Sequence, residues 1–264
     1  MGRKIPGRIK KDLRARVKKA KKILFFLDYD GTLTPIRKRP ELARVKRDVK
    51  NLLRTISRKR WAEVFIISGR ALRDIKRLVG INSLSYSGNH GIEFEGPRLK
   101  YTNPAAKALR GEIQNSFRIL KNKFNSKKII VENKIYTLSI HYRLLAPANV
   151  PALKKAFKDA TKELSKNKKI KITHGKKVIE LRPNISWNKG SIVKYILKKR
   201  KIKKSLPIYI GDDITDEDAF RALGKKGISI LVARNGRRTA ARYKLDSPGA
   251  VARFLEFVMR EREQ

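Results

Sequence analysis

Five apolar residues, Ile23-Leu24-Phe25-Phe26-Leu27, run straight into two carboxylates spaced i, i+2 and then a glycine, Asp28-Tyr29-Asp30-Gly31. Such a run reads as a buried strand, and alternation along a strand puts Asp28 and Asp30 on the same side. Gly31 lets the backbone turn away just beyond them. In open α/β sheets, ligands bind at this carboxyl edge. A carboxylate pair there can attack, shuttle a proton and hold a hard cation, although an isolated Asp-x-Asp-Gly also arises as a simple turn cap.

The chain beyond repeats the rhythm. Leu42, Val45, Val49, Leu52, Leu53 and Ile56 have helical spacing over residues 41–59, and Ala62–Ile67 reads as a second buried strand ending at Ser68-Gly69-Arg70. A helix with Leu72, Ile75, Leu78 and Val79 follows, and Leu84–Ser87 leads into Gly88-Asn89-His90-Gly91. Strands alternating with helices predict parallel pairing through crossovers. The middle differs: 103–124 and 149–166 look helical, 129–132 and 135–142 look like a hairpin, and 169–182 gives two more short strands. Antiparallel hairpins do not extend a parallel sheet, so this segment is expected to form its own small domain. From Ser186 the alternation resumes, with Ile192, Val193, Ile196 and Leu197 on a helix, a strand over 206–210 ending at Gly211-Asp212-Asp213, a strand over 228–232 and a closing helix over 248–262. The expected fold class is α/β: a doubly wound parallel-sheet core over 23–102 and 185–264, an inserted α+β cap domain over 103–184, and a basic N-terminal extension over 1–22.

Composition narrows the chemistry. The chain of 264 residues has no cysteine, so thiolate metal sites are excluded, and His90, His141 and His174 are scattered, so any metal should sit among carboxylates and be Mg²⁺-like. No apolar run approaches the ~20 residues of a membrane span and no signal peptide is visible, so a cytoplasmic location is expected. The formal net charge of +44 would concentrate anions near the surface. Residues 1–22 carry 11 Lys/Arg against Asp12, yet the remainder still holds 56 basic and 22 acidic side chains, so the basicity is global. A nucleic-acid role is possible but not expected, because the basic runs at 8–22 and 198–204 lack interleaved aromatics and any recognisable binding module. Residues 10–22 suit a basic helix, read as a solvated extension.

Three strand ends present polar residues: Asp28 and Asp30, Ser68-Gly69, and Asp212-Asp213, with Lys189 opening the intervening helix. Parallel strands bring these to one edge, and phosphoryl transfer needs little more than a nucleophile, a metal and donors for the remaining oxygens. Their order and spacing resemble the haloacid dehalogenase superfamily of phosphohydrolases, whose fold is the Rossmannoid core described above. That resemblance implies Asp28 as nucleophile, Asp30 as general acid and base, Lys189 as a bridge between phosphate and nucleophile, Ser68 and Gly69 as phosphate binders, and Mg²⁺ among Asp28, Asp30, Asp212 and Asp213. Asp213 would act through water or by orienting Lys189. Asp216, in Thr215-Asp216-Glu217-Asp218, is equally well explained as helix capping.

A closer resemblance runs from residue 23 onward. Leu27–Ile36, Gly88-Asn89-His90-Gly91, Val131-Glu132-Asn133-Lys134, His141-Tyr142-Arg143, Gly175–Pro183 and Gly211–Phe220 are similar to the trehalose-6-phosphate phosphatase family. In that family the cap closes over the active site and binds the two glucose units, which implies Glu132, Lys134, Arg143, Lys176 and Glu180 as sugar contacts. The alternative for Glu132, Lys134, Lys176 and Glu180 is that they are exposed hairpin residues. The chain departs from the family in its basic extension and its extreme charge. The expected activity is Mg²⁺-dependent hydrolysis of trehalose 6-phosphate through an aspartyl-phosphate, in trehalose biosynthesis. Phosphates of sucrose, mannosylglycerate or glucosylglycerol are alternative substrates, and a nucleic-acid-binding protein on this scaffold is the rival class. The expected partner is a small sugar phosphate, with no membrane and a monomeric state.

Overall fold

The structure is a computed structural model that describes residues 7–37, 39–166, 168–175 and 177–264. In chain order its elements are α1 (Gly7–Lys19), β1 (Lys22–Leu27), α2 (Arg47–Ser57), β2 (Ala62–Ile67), α3 (Leu72–Val79), β3 (Ser85–Gly88), β4 (Glu93–Gly96) and β5 (Leu99–Thr102). Then come α4 (Pro104–Ala108), α5 (Arg110–Lys123), β6 (Ile130–Asn133), β7 (Leu138–His141), α6 (Val150–Lys166), β8 (Ile170–Gly175) and β9 (Val178–Pro183). The last group is α7 (Lys189–Arg200), β10 (Ser205–Gly211), α8 (Glu217–Leu223), β11 (Ile228–Val232), β12 (Tyr243–Leu245) and α9 (Pro248–Glu263). The chain divides into two compact units: one runs up to Tyr101 and resumes at Trp187, and the other is Thr102–Ser186.

Among the described residues the first unit carries one sheet in the order β12-β11-β10-β1-β2-β3-β4-β5. Pairing is parallel from β12 through β3, and β4 joins antiparallel. The sheet is buried on both faces, as the uninterrupted apolar strands require. Ile23, Phe25 and Leu27 of β1 pack with Leu53, Ile56, Val251 and Phe254 from α2 and α9, while Leu24 and Phe26 pack with Ile192, Val193, Ile196 and Phe220 from α7 and α8. Phe26 and Phe65 stack across β1 and β2 with centroids 4.7 Å apart. Alternation along one strand thus sorts the side chains into the two helical layers of a doubly wound α/β fold.

The second unit is an antiparallel sheet, β6-β7-β9-β8, with one apolar face. Val131, Leu138, Ile140, Ile179 and Leu181 pack on Ile113 and Leu120 of α5 and on Leu153 and Phe157 of α6. The opposite face carries the cross-strand row Glu132, Ser139, Glu180 and Thr173.

Several local expectations change. The helix expected over 41–59 begins at Arg47, because Pro40–Leu42 forms a short 3₁₀ turn that leaves Leu42 56% exposed. The helix expected over 103–124 is two pieces meeting at Leu109, the first capped by Asn103 Oδ1, which accepts from the Ala106 amide at 3.1 Å. Strands β4, β5 and β12 are too short and polar to stand out in the sequence.

The basic helix near the N-terminus is not a solvated extension: Leu13 and Val17 are fully buried in the core, and Arg14 pairs with Glu261 of α9 at 2.9 Å. Leu13, Val17 and Ala20 form an i, i+4, i+7 stripe that the density of lysines conceals. Leu13→Ala should therefore cost about 2–5 kcal/mol in urea unfolding; a change within experimental error would mean that α1 does not contribute to the core.

Candidate active site

In-register pairing places the functional groups at one edge. Leu27 lies opposite Ile66 of β2 and Ile210 of β10, so Asp28-Tyr29-Asp30, Ser68-Gly69 and Gly211-Asp212 all emerge where these parallel strands end. The positive φ of Gly31, +85°, turns the chain, and a Cβ there would run into the Asp212 carboxylate. Only glycine meets both requirements.

At the centre lies Lys189, 2% exposed, delivered by the first residue of α7. Asn188 fixes that helix start through a capping box with Ser191. Lys189 Nζ donates to Asp28 Oδ1 at 2.7 Å and to Asp216 Oδ1 at 2.8 Å. The Tyr209 hydroxyl donates to the same Asp216 oxygen at 2.7 Å, and the Asp213 amide donates to Asp216 Oδ2 at 2.9 Å. Asp216 is therefore both the capping acid anticipated from the sequence and the group that holds Lys189. Orienting Lys189, one of the roles expected of Asp213, falls to Asp216; the Asp213 backbone carbonyl accepts from the Asp216 amide at 3.1 Å.

Burial sets the electrostatics. It pushes the Asp28 carboxyl well above the usual range against the pull of Lys189, and the neighbouring Asp216 and Asp212 charges push it further up. Burial alone would lower the Lys189 ammonium, but Asp216 and Asp28 outweigh it and raise it. The Tyr209 phenol is raised by burial and then by Asp216, so it remains a donor.

Asp28, Asp212 and Asp216 each offer a carboxylate oxygen, all within 4.8 Å of one another. Three carboxylates against one ammonium leave a hard, anionic oxygen set that suits a Mg²⁺-like cation. The Asp30 carboxylate does not join that cluster; it accepts two hydrogen bonds from Arg70, Nε to Oδ2 at 2.7 Å and Nη2 to Oδ1 at 2.6 Å. Ser68 is buried, with its Oγ accepting from the Arg70 amide at 3.2 Å, and a Cβ on Gly69 would press into the His90 ring. Asp216, Tyr209 and Arg70 are the members the sequence did not single out as functional.

In the inserted unit, Glu132, Lys134 and Glu180 come together on the polar sheet face. Lys134 Nζ pairs with Glu180 Oε1 at 2.8 Å, Ser139 Oγ donates to that oxygen at 2.9 Å, and Glu132 Oε2 and His141 Nε2 share a hydrogen bond of 2.7 Å. The Lys134 side chain is 5% exposed, so it is not an exposed hairpin residue. Burial works against its charge, but Glu180 and Glu132 raise its pKa. Arg143 follows β7 in a turn and is half-buried. Lys176 lies outside the described residues.

The family model described as trehalose-phosphatase matches residues 26–249. The chain is similar to trehalose-phosphate phosphatase B of Arabidopsis thaliana, 35% identical over 255 residues that cover 90% of this chain and 66% of that protein. It is also similar to trehalose 6-phosphate phosphatase RA3 of Zea mays, 36% identical over 259 residues that cover 90% and 70%. The chain thus spans about two thirds of the length of these two plant relatives. Among solved structures, the C-terminal domain of trehalose-6-phosphate phosphatase from C. albicans superposes with a TM-score of 0.79 at 25% identity, covering 94% of this chain and 96% of that one. The sucrose-phosphatase of Synechocystis shares the fold, with a TM-score of 0.54 at 16% identity and coverage of 91% and 98%.

The hydroxyl of Tyr209 is a separable support of this edge. Tyr209→Phe removes one donor from a buried carboxylate and should lower unfolding free energy by about 1–3 kcal/mol in urea titrations; unchanged stability would remove the hydroxyl from the account of how Asp216 is held.

Proposed function

The chain belongs to the trehalose-phosphatase family, and from that premise we propose that it hydrolyses trehalose 6-phosphate to trehalose and phosphate, in trehalose biosynthesis and in the cytoplasm. The observation that carries the proposal is the Lys189 ammonium held between Asp28 and Asp216 at the sheet edge. Such a cation opposes the protonation that burial favours and points the carboxylate, which is what an attacking oxygen needs.

A carboxylate oxygen of Asp28 attacks phosphorus in line, and the bond from phosphorus to the sugar oxygen breaks. Asp30 gives its proton to the departing alkoxide, so trehalose leaves as a neutral alcohol. Asp30 then takes a proton from water, whose oxygen attacks the aspartyl-phosphate, releasing inorganic phosphate and restoring Asp28. Ser68 and the Gly69 amide hold phosphoryl oxygens, and Lys189 bridges phosphate and nucleophile. The carboxylates of Asp28, Asp212 and Asp216, with the Asp30 carbonyl, would hold Mg²⁺, which supplies charge neutralisation at the phosphoryl oxygens. Glu132, Lys134, Arg143, Lys176 and Glu180 recognise the sugar, since carboxylates accept from vicinal hydroxyls and lysine donates.

The test is phosphate release from trehalose 6-phosphate beside glucose 6-phosphate, sucrose 6-phosphate and mannosylglycerate phosphate, with Mg²⁺ or with EDTA. The expected result is Mg²⁺-dependent preference for the first, with Asp28→Asn lowering kcat at least about a thousandfold. Preference for another sugar would reassign the inserted unit's specificity, and no activity on any of them would sink the proposal.

Sugar recognition is separable from phosphate chemistry. Glu180→Gln keeps the shape and removes the charge; it should raise KM for trehalose 6-phosphate about tenfold or more and change kcat/KM for an aryl phosphate less than about twofold. Equal damage to both substrates would refute this division of labour.

A further inference from the structure

Arg70, just beyond the end of β2, is a cation to which the reaction above assigns no role. Its guanidinium meets Asp30 through two parallel hydrogen bonds, Nε to Oδ2 at 2.7 Å and Nη2 to Oδ1 at 2.6 Å. Nη2 also donates to the Pro40 carbonyl at 2.9 Å. The guanidinium lies 5.4 Å from the centroid of the Tyr29 ring, whose hydroxyl is itself anchored on the Ala43 carbonyl at 2.6 Å. The backbone of Arg70 is equally fixed: its amide donates to Ser68 Oγ and its carbonyl accepts from the Asn89 amide at 2.8 Å. The Arg70 side chain is largely buried, at 13% exposed, whereas that of Asp30 is 38% exposed.

A half-exposed aspartate has a broad terminal torsion, and no helix or strand sets the plane of its carboxyl group. A rigid planar fork that grips both oxygens removes that freedom, and a lysine, being a point charge, does not. We propose that Arg70 is the positioning residue for Asp30: it fixes the rotamer and plane of the carboxyl group so that its proton meets the leaving oxygen. Each oxygen keeps a further lone pair while paired, so the grip leaves room for the proton. The inference rests on the reading of Asp30 as the general acid and deepens it. It makes a specific demand: reliance on Arg70 must grow as the leaving group worsens. A sugar alkoxide needs its proton as the bond to phosphorus breaks, and a nitrophenolate does not.

The test compares Arg70→Met, Arg70→Lys and Asp30→Asn on trehalose 6-phosphate, phenyl phosphate and 4-nitrophenyl phosphate. Arg70→Met should lower kcat on the sugar phosphate about 10²–10³-fold, the scale of general-acid catalysis, and on 4-nitrophenyl phosphate by less than about tenfold. Phenyl phosphate should fall between them, and KM for the sugar phosphate should stay within about threefold. Arg70→Lys should follow Arg70→Met, because charge without the fork does not orient. If Arg70→Met does not fold, the same comparison on Arg70→Lys decides. Equal losses on all three esters, while Asp30→Asn still discriminates among leaving groups, would overturn the inference and leave Arg70 as a phosphate or scaffold residue. If Asp30→Asn itself shows no leaving-group dependence, or the unaltered protein cleaves none of the three, the reading of Asp30 falls first.

Discussion

One buried cation organises the carboxyl edge of the sheet. Taking an ammonium out of water costs several kcal/mol unless charged partners compensate, and Lys189 finds two, Asp28 and Asp216. Each partner in turn is committed elsewhere: Asp28 directly follows the central strand β1, and Asp216 accepts from the Tyr209 hydroxyl and the Asp213 amide. The helix carrying Lys189 is set by its Asn188 cap and pressed onto the sheet by Ile192, Val193 and Ile196. The packing of an apolar layer therefore determines where one charge sits. That charge determines where a carboxylate can point.

Charge elsewhere on the molecule acts at a different range. The formal net charge of +44 surrounds a small acidic centre in which Asp28, Asp212 and Asp216 outnumber Lys189. Under the proposed function, the positive exterior would draw an anion in, and the acidic centre would hold the divalent cation that accompanies it. Salt screens the exterior far more than the buried cluster, so ionic strength should weaken capture of the anion more than it weakens the centre itself.

How much of this was legible in the sequence follows from which interactions are local. The apolar run Ile23–Leu27 and the i, i+2 carboxylates announce a buried strand and its edge, because burial and alternation are written in consecutive residues. Lys189 was legible for the same reason: Asn188-Lys189-Gly190 is a helix start. Asp216 was half legible. Its capping role is local and was read, but its ion pair with Lys189 spans 27 positions and no pattern near Asp216 encodes it. Tyr209 was read as one more apolar strand residue, and its hydroxyl mattered only once α8 brought Asp216 beside it. Arg70 pairs with Asp30 across 40 positions, with nothing in Ser68-Gly69-Arg70 to mark it. The core stripe of α1 was hidden by composition: the lysines around Leu13 and Val17 obscured an ordinary amphipathic period.

The two polar networks differ in balance, and the difference suits the two halves of the proposed substrate. In the inserted unit, the acids Glu132 and Glu180 share one sheet face with Lys134, Arg182 and Lys171, so charges of both signs are interleaved there. A hydrogen-bonded array of interleaved acids and bases presents donors and acceptors side by side, which suits polyhydroxyl groups. Its members are fixed by one another, as Ser139 and Lys134 both hold Glu180, so little rotamer freedom is lost when a hydroxyl binds. The core edge is unbalanced toward acid and rewards a cation with its anion. The proposed division of recognition between two sheets matches the geometry each offers: parallel strands converge charges at one edge, and antiparallel strands spread alternating polar groups over a face.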